Sequence, residues 1–446
     1  MTARRKTFRV SLLFFFLFIL VLSGVKGAEP AKPKSITYLN MGALSGDPGN
    51  ARAIEAWEKK TGIKVNVLEM AFPPIYDKIV TVLSTGDPSI DVIAGSDFWT
   101  IDFAAAGWLE PLKGKAIEEA IAQYPKDIQA TCIYKGKIYG APGGNMLQVF
   151  YYRTALLKEA GLTRPPKTWE EVIEVGKKLT VDKDGDGNVD QWGIVHAGLP
   201  EWEFGHFVQT LAHQLNGGLF DKQGRVTVNG PAMVKALQTI CDFRNKYKIS
   251  PPGVNTYGSG DVLMAFKSGK AAMAVTTTFM IKELDAPGSA IKGKWAISIL
   301  PTFEGGREST TYITTPLNLN KASKNKYWAM DFISFYASAK GQIEEMIYEP
   351  GNVALMPNAY DHPLVKNPPS DALAAFNLTL EKWTEIMKVL RDSSKIAEVE
   401  HYINQDQIDR MWWTEINNAL SGNTTPKETL DHAAARILAF IKSRGK

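Results

Sequence analysis

Strand-like and helix-like spacings of apolar residues alternate along the first hundred residues. Ser35–Asn40 and Lys64–Met70 alternate apolar and polar positions as strands do, and Asp91–Ala94 is a short apolar run. Between them, Ala51–Thr61 and Tyr76–Thr85 have apolar residues three and four positions apart, and a glycine follows each segment. This order predicts an α/β fold with a mainly parallel sheet and helices on both faces. Such sheets bind ligands beyond the carboxyl ends of their strands.

The same order continues through the middle of the chain, and the last third becomes helical. Gln148–Tyr152, Ala271–Thr276 and Lys294–Leu300 have the composition of strands. Thr168 followed by Glu171 forms a capping box, which predicts the start of a long helix. Further helices are predicted at Lys326–Ala337, Gly341–Tyr348, Ala372–Leu390, Val399–Ala419 and Pro426–Lys442.

The first 27 residues have the three parts of an export signal. Met1–Arg9 is basic, Val10–Leu22 is an apolar run of 13 residues, and small residues follow at Gly24–Ala28. A transmembrane anchor is the alternative, but it needs about 20 apolar residues. We therefore predict a cleaved signal peptide over residues 1–27 and a product in the periplasm or outside the cell. No cysteine lies near the expected cut, which leaves no attachment point for an N-terminal lipid.

The composition is that of a globular protein, and its charge gives no reason to expect nucleic acid as a partner. The chain has 446 residues, of which 45% are hydrophobic and 22% charged, and this length suggests two or three domains. Five of the 51 basic residues and none of the 47 acidic ones lie in the first 27 positions, which leaves 46 basic and 47 acidic residues. A nearly neutral chain is not drawn to acidic partners. The two cysteines, Cys132 and Cys241, are too few for a disulfide framework.

Seven segments stand in a characteristic order behind the export signal. They are Ile54–Val65, Tyr76–Lys78, Ser84–Asp87 with Asp91-Val92, Phe103–Leu112, Tyr151–Arg153, Pro165–Trp169 and Phe266–Met273. In this order they resemble the extracellular sugar-binding proteins of ABC importers, and the maltose- and trehalose-binding members in particular. The resemblance covers nearly all of the chain after the export signal.

The resemblance implies a two-lobed periplasmic-binding-protein fold of type II, in which each lobe is a mainly parallel sheet flanked by helices. Three crossings would join the lobes as hinges, and the ligand would lie between the lobes. The ranges expected for the N-terminal lobe are 34–145 and 312–349, and those for the C-terminal lobe are 152–300 and 357–446. The expected crossings are 146–151, 301–312 and 351–356.

The function implied by the resemblance is that of a monomeric periplasmic receptor. It would bind an oligosaccharide of the maltose or trehalose type, close around it by hinge motion, and deliver it unchanged to a membrane permease. Two alternatives stay open at this point. A secreted glycoside hydrolase would need two facing carboxylates, which Asp97 and Glu203 could supply. A receptor of the same fold could instead dock on a membrane sensor.

A sugar offers apolar C–H faces and a rim of hydroxyl groups, so its site needs flat aromatic side chains together with carboxylates or amides. Asp97-Phe98-Trp99 is the first candidate, because the loop at Gly95–Thr100 follows a buried strand at the ligand-binding edge. The resemblance also implies an acid and an aromatic residue in this loop. The alternative is ordinary packing of Phe98 and Trp99 under the next helix.

Further candidates for the ligand site come from the second half of the chain. Glu201-Trp202-Glu203 follows a predicted strand and either lines the second lobe or forms a solvated helix start. One residue of Trp412-Trp413 is expected to face the cleft, since adjacent helix positions point about 100° apart. The remaining candidates, taken from hinge and mouth loops or from the resemblance alone, are Asp47, Asn145, Tyr152, Phe279, Tyr312 and Asn352.

The segment from residue 182 to residue 190 has the spacing of a calcium-binding loop. Oxygen-bearing side chains stand at alternating positions with glycine at the sixth, but the twelfth position is Gly193 where such loops have glutamate. The segment therefore predicts either a structural calcium ion or a turn held by its own side chains. No catalytic cofactor is expected. The candidate calcium ligands are Asp182, Asp184, Asp186, Asn188 and Asp190.

Overall fold

Residues 29–42, 48–70 and 74–444 are described by the computed structural model, except for the side chain of Phe98. The predicted signal peptide and the candidate Asp47 therefore lie outside the described residues. From Lys34 onward the chain groups as one compact unit. Within the described ranges, no helix combines the length and the apolar character needed to cross a membrane.

Four of the strands within the described ranges have seven residues or more, and the others have two to five. In chain order they are β1 (Ser35–Met41), β2 (Lys64–Met70), β3 (Val92–Ala94), β4 (Ile133–Tyr134), β5 (Lys137–Ile138), β6 (Gly140–Ala141), β7 (Asn145–Arg153), β8 (Trp192–His196), β9 (Ala271–Thr277), β10 (Trp295–Ser298), β11 (Tyr312–Thr314) and β12 (Leu317–Leu319).

The α-helices are longest toward the carboxyl end of the chain. They are α1 (Pro48–Thr61), α2 (Ile75–Thr85), α3 (Asp97–Ala105), α4 (Lys115–Ile121), α5 (Lys126–Cys132), α6 (Thr154–Glu159), α7 (Trp169–Leu179), α8 (Trp202–Gln214), α9 (Pro231–Asn245), α10 (Ser259–Lys267), α11 (Ile281–Leu284), α12 (Lys326–Tyr336), α13 (Ala339–Tyr348), α14 (Pro363–Lys366), α15 (Ser370–Ala375), α16 (Leu380–Lys395), α17 (Gln405–Ser421) and α18 (Pro426–Arg444). Short 3-10 helices lie at Val254–Thr256, Thr278–Met280 and Pro357–Asp361.

The first sheet has the order β2-β1-β3-β12-β6. Strands β1, β2 and β3 run parallel, because helices α1 and α2 return the chain to the same starting edge, as predicted. Strand β12 enters from a distant part of the sequence and runs antiparallel to both β3 and β6. Trp57 and Phe332, from α1 and α12, pack edge to face over this sheet with ring centroids 5.2 Å apart.

The second sheet has the order β10-β7-β9-β8 and is also mixed. Only β8 and β9 are parallel, while β7 is antiparallel to β9 and β10. The fold is the expected two-sheet α/β class. In each sheet a single strand runs against the direction that the other strands share, β12 in the first sheet and β7 in the second. Local periodicity does not report the direction of these two strands.

The three expected crossings meet at the start of β7. Strand β11 pairs antiparallel with β7, so that Thr314 lies opposite Asn145. The third segment reaches the same place, because the Val353 N–H donates to the Asn145 carbonyl oxygen at 2.8 Å. We call the first sheet with its helices the first lobe and the second sheet with its helices the second lobe. The residue boundaries of these lobes stay a prediction.

Two local details differ from the sequence expectations. The segment expected to be a loop at Gly95–Thr100 enters helix α3 at Asp97. The capping residue Thr168 accepts a hydrogen bond from the Glu171 N–H at 3.2 Å, as predicted. The Glu171 carboxylate, however, accepts from the Lys167 N–H at 2.7 Å rather than from the capping residue.

Candidate functional site

A cavity of about 210 Å³ lies between the two lobes, and we call it the cleft cavity. The first lobe supplies strand ends, the second lobe supplies one end of α8 and one face of α17, and the crossings supply the floor. The lining residues are Met41, Ser96, Met146, Pro200, Glu201, Trp202, Ile313, Thr314, Thr315, Asp406, Arg410 and Trp413.

The first-lobe wall is built at the carboxyl ends of parallel strands. Met41 ends β1, and Ser96 follows β3 by two residues. Because these strands run parallel, their carboxyl ends meet at one edge, which is where open α/β sheets bind ligands. The cleft cavity therefore lies at the edge of the sheet that the sequence predicted.

Trp413 forms the aromatic wall of the second lobe. Its indole lies against α8 at Gly205, where a Cβ would sit 2.9 Å from Cε2 of the ring and closer still to Nε1 and Cδ1. Trp412 is fully buried in the core instead, and its Nε1–H donates to Asp409 Oδ1 at 2.9 Å. Of the two adjacent tryptophans, Trp413 is therefore the one that lines the cleft cavity.

The charges around the cleft cavity are already largely paired. Arg410 holds Asp406 in a bidentate contact, with Nε 2.9 Å and Nη2 3.1 Å from the two carboxylate oxygens. Glu201 stands at the N-terminal cap of α8. Burial, followed by the nearby charge of Asp261, raises the pKa of Glu201 above that of an ordinary glutamate. The net charge of the lining is therefore neutral to slightly negative.

Thr314, one of the residues that line the cleft cavity, has a buried hydroxyl group. The residue is 0% exposed, and its Oγ1 has no hydrogen-bond partner among the described residues. The neighbouring Thr315 hydroxyl, by contrast, donates to the Gly144 carbonyl oxygen at 2.9 Å. A buried hydroxyl without a partner costs roughly 1–3 kcal/mol.

Asp97 and Trp99 lie beside the cleft cavity but not on its wall. Asp97 is 1% exposed and accepts a hydrogen bond from the Ser96 hydroxyl at 3.0 Å. Trp99 packs among the rings of Tyr76 and Phe103, at centroid distances of 5.0 and 6.3 Å. The start of α3 turns the Trp99 ring into the core of the first lobe.

Glu203 is held inside the second lobe rather than in the cleft cavity. The hydroxyl groups of Ser259 and Thr276 each donate to one of its carboxylate oxygens. Burial raises the pKa of Glu203 to about 7, and the two hydroxyl donors offset only part of that rise. Only Glu201 and Trp202 of this predicted tripeptide line the cavity.

The predicted hinge residues Asn145 and Asn352 connect the crossings. The side-chain amide of Asn145 donates to Gln342 Oε1 at 2.7 Å and to the Val353 carbonyl oxygen at 3.2 Å. The amide of Asn352 donates to Glu345 Oε1 at 3.0 Å. These contacts fix the crossings to α13, and neither residue lines the cleft cavity.

Three aromatic candidates also lie elsewhere. Tyr312 is fully buried, and its hydroxyl donates to the Asp127 carbonyl oxygen at 3.2 Å. Tyr152 lines a different, wider groove of about 970 Å³ between β10 and α16. Phe279 packs in a 3-10 helix against the crossing at Gly351. None of the three lines the cleft cavity.

The segment from 182 to 190 forms an exposed turn with clustered carboxylates. Asp182 accepts hydrogen bonds from the N–H groups of Gly185 and Gly187, at 2.7 and 2.9 Å, and these bonds lower the pKa of Asp182. Carboxylate oxygens of Asp182, Asp184 and Asp190 lie within 4.8 Å of one another. These three groups fit the oxygen ligands that calcium prefers. Asp186 and Asn188 instead hydrogen-bond to each other at 3.0 Å.

Several lining residues carried no signal in the sequence. Met41, Ser96 and Thr314 belong to no motif, and only the sheet edge brings them together. Asp406 and Arg410 are four positions apart on α17, and that spacing predicts only a surface ion pair. Their place in the cleft follows from how α17 crosses the first lobe.

Sequence comparison places this geometry among known proteins. The family model of bacterial extracellular solute-binding proteins matches residues 46–343. A probable ABC transporter-binding protein of Deinococcus radiodurans is 27% identical over 297 residues, which are 65% of this chain and 69% of that protein. A mannitol-binding protein of Pseudomonas aeruginosa is 28% identical over 200 residues, 44% of each chain. The alignments thus span about two thirds of the first relative and less than half of the second.

Structural comparison gives the same fold. The maltose-bound MalE3 of T. maritima superposes with a TM-score of 0.75, covering 91% of this chain and 99% of that one, at 23% identity. At this level of identity the superposition establishes the fold and not the ligand.

Proposed function

The chain belongs to the bacterial extracellular solute-binding proteins, and we propose that it captures a carbohydrate in the cleft cavity and hands it to the permease of an ABC importer. Its family binds solutes, so the chain is a binding protein and not an enzyme. The observation that carries the proposal is the cleft cavity itself, to which both lobes contribute side chains.

The chemistry of the walls supports a polyhydroxylated ligand. Trp202 and Trp413 provide aromatic surface for the C–H faces of a sugar. Glu201 provides an acceptor for the hydroxyl rim. Aromatic surface with a few fixed polar groups is what a specific small-molecule site requires.

The contacts and chain connections between the lobes support the proposal of hinge closure. The backbone N–H of Asn404, just before α17, donates to Asp102 Oδ1 on α3 at 2.9 Å, which connects the second lobe to the first beside the cavity. The crossings at the start of β7 are the continuous chain connections about which the lobes could rotate. Ligand contacts made only in the closed form would set the affinity, since a ligand shifts an equilibrium by its differential binding.

The finer identity of the ligand is a separate proposal. The sequence resemblance implies an oligosaccharide of the maltose or trehalose type. The names of the compared proteins include both a sugar alcohol and a disaccharide. A glycoside hydrolase is disfavoured because Glu203 is held inside the second lobe by Ser259 and Thr276. Docking on a membrane sensor instead of a permease would leave the cleft chemistry unchanged.

The remaining expectations from the sequence belong to the same proposal. We propose export through a signal peptide, a periplasmic location, a monomeric state and no nucleic-acid partner. The carboxylate cluster at Asp182, Asp184 and Asp190 would hold a structural calcium ion with no part in ligand chemistry.

The test is a titration of intrinsic tryptophan fluorescence with a panel of carbohydrates, together with analysis of the sugars afterwards. We expect saturable binding and recovery of the sugar unchanged. Trp413→Ala should weaken binding at least tenfold, which is about 1.4 kcal/mol. Tyr327→Ala, which removes an exposed ring on α12, is the matched control and should bind normally. Released monosaccharide, or no response to any carbohydrate, would refute the proposal.

A further inference from the structure

A second cavity, separate from the cleft, is lined by positively charged side chains. It has a volume of about 290 Å³ and lies in the second lobe, between α16 on one side and the 3-10 helix Pro357–Asp361 with α14 on the other. Its lining contains Lys366, Lys388 and Arg391, and no carboxylate side chain within the part of the chain that the structure describes. We call it the cationic cavity. None of its lining residues also lines the cleft cavity.

Local geometry brings the three charges together. Lys388 and Arg391 are three positions apart on α16, so they share one face of the helix. Lys366 approaches from α14, which is fixed to α16 because the Trp383 indole N–H donates to the Val365 carbonyl oxygen at 2.7 Å. The place of the third charge is therefore set by a buried contact of the neighbouring residue.

Acidic residues near the cationic cavity neutralise its charge only in part. Lys366 Nζ lies 3.3 Å from Asp361 Oδ1, and both side chains are more than half exposed, so solvent weakens this pair. Arg391 Nε lies 3.5 Å from Asp392 Oδ1. Lys388 is in none of the ion pairs that α16 makes within the described ranges. The cavity therefore has an excess of positive charge, which attracts anions.

Two hydrogen-bond donors of the lining residues are buried without an acceptor. The Tyr360 hydroxyl and the Arg391 Nε–H have no hydrogen-bond partner among the described residues. Burial raises the pKa of Tyr360 well above its ordinary value, so the hydroxyl keeps its proton and remains a donor. Folded proteins leave few buried donors unpaired, so two of them beside one cationic cavity point to an acceptor from outside the chain.

The number of charges selects the kind of anion. A phosphate group carries nearly two negative charges at neutral pH and has at least three acceptor oxygens, which suits a lining with three cations. A carboxylate carries one charge, and a single guanidinium can satisfy it. Nucleic acid requires basic residues along an extended backbone, whereas the chain after its first 27 residues has 46 basic and 47 acidic residues.

Apolar groups beside the charges allow the phosphate to be free or esterified. Val365 and Met387 contribute apolar surface to the cationic cavity. Leu364 on α14 and Leu380 on α16 are 41% and 46% exposed. Inorganic phosphate would use only the polar part of this surface, while the head group of a phospholipid would also contact the apolar part.

We propose that the cationic cavity binds a phosphate group, either as inorganic phosphate or as the head group of an anionic phospholipid. Lys366, Lys388 and Arg391 would bind its charge, and the Tyr360 hydroxyl would donate to one of its oxygens. The site is independent of the proposed carbohydrate site, because the two cavities share no residue.

Two measurements separate the sources of the phosphate group. Isothermal titration with sodium phosphate, at an ionic strength held constant with sodium chloride, measures binding of the free ion. Sedimentation with vesicles of phosphatidylcholine, with and without phosphatidylglycerol, measures binding of the lipid head group. Saturable phosphate binding at one site per chain supports the first source, and binding only to vesicles that contain phosphatidylglycerol supports the second. If neither probe binds, the proposal is overturned.

A charge variant tests the residues of the site. The chain with Lys366→Gln, Lys388→Gln and Arg391→Gln should bind the effective probe at least tenfold more weakly than the unaltered chain. Its carbohydrate binding should not change, and its melting temperature in the absence of phosphate shows whether it is folded. Unchanged binding of the probe by the folded variant would overturn the proposal.

A control variant removes the same number of charges from the first lobe. It carries Lys59→Gln, Lys64→Gln and Lys115→Gln, which replace largely exposed lysines far along the chain from the cationic cavity. We expect it to bind the probe like the unaltered chain. Equal losses in the two variants would show a general electrostatic attraction instead of a site, and would also overturn the proposal.

Discussion

Gly205→Ala is predicted to impair ligand binding without removing any side chain from the cleft. The new methyl group would lie 2.9 Å from Cε2 of Trp413 and closer to two other ring atoms, where ordinary contacts are about 3.5–4.0 Å. The indole must therefore move away from α8 by about 1 Å or more. The Trp413 ring would leave its position on the cavity wall.

The effect on stability should be small compared with the effect on binding. Overpacking a core position costs about 1–3 kcal/mol. The gain in helix propensity from glycine to alanine offsets about 1 kcal/mol of this cost. We therefore expect a net loss of about 0–2 kcal/mol in the free energy of unfolding, and at least tenfold weaker carbohydrate binding by isothermal titration.

Gly260→Ala is the matched control for this experiment. Gly260 also lies on a helix of the second lobe, α10, but a Cβ there would meet no atom within 4 Å. We expect this variant to bind normally and to melt at the same temperature or slightly higher, because alanine favours the helix. A folded Gly205→Ala protein that binds within twofold of the unaltered chain would show that Trp413 does not shape the site.

Three further predictions test other parts of the structure. Burial raises the pKa of Glu203 from 4.5 to about 7. Between pH 4.5 and pH 7 the folded protein therefore keeps a proton on this carboxyl group that the unfolded chain has lost. The contribution of Glu203 to the free energy of unfolding consequently falls as the pH rises through this range. The melting temperature of Glu203→Gln should therefore rise relative to that of the unaltered protein as the pH goes from 4.5 to 7. A difference in melting temperature that does not change with pH would contradict the raised pKa of Glu203. Trp99→Ala should cost about 3–5 kcal/mol of stability as a core truncation, with affinity changed less than in Trp413→Ala; equal losses of affinity would place Trp99 in the site. Millimolar calcium should raise the melting temperature of the unaltered protein but not of Asp182→Asn, and no shift in either would end the calcium proposal.

The order of the elements was predictable from the sequence because it depends on local spacing. Alternating and helical periodicities place β1, α1, β2, α2 and β3 to within one to three residues of the structure. The parallel order of these strands then predicts the edge where a ligand site lies. The direction of β12 was not predictable, because it enters from residues 317–319 and pairs with strands far away in the sequence.

The sequence determined the fold class, the family and the edge of the sheet that forms the cleft. Which side chains face the cleft was decided only by tertiary structure. Trp99 and Trp412 have the same chemistry as Trp413, but α3 and α17 turn them into the cores of the two lobes. Trp413 reaches the cavity because α17 crosses α8 at Gly205, which has no Cβ. The Thr314 hydroxyl lies where the crossing strands β7 and β11 pair. Such contacts depend on how distant segments of the chain pack together, and the spacing of residues along the chain does not predict them.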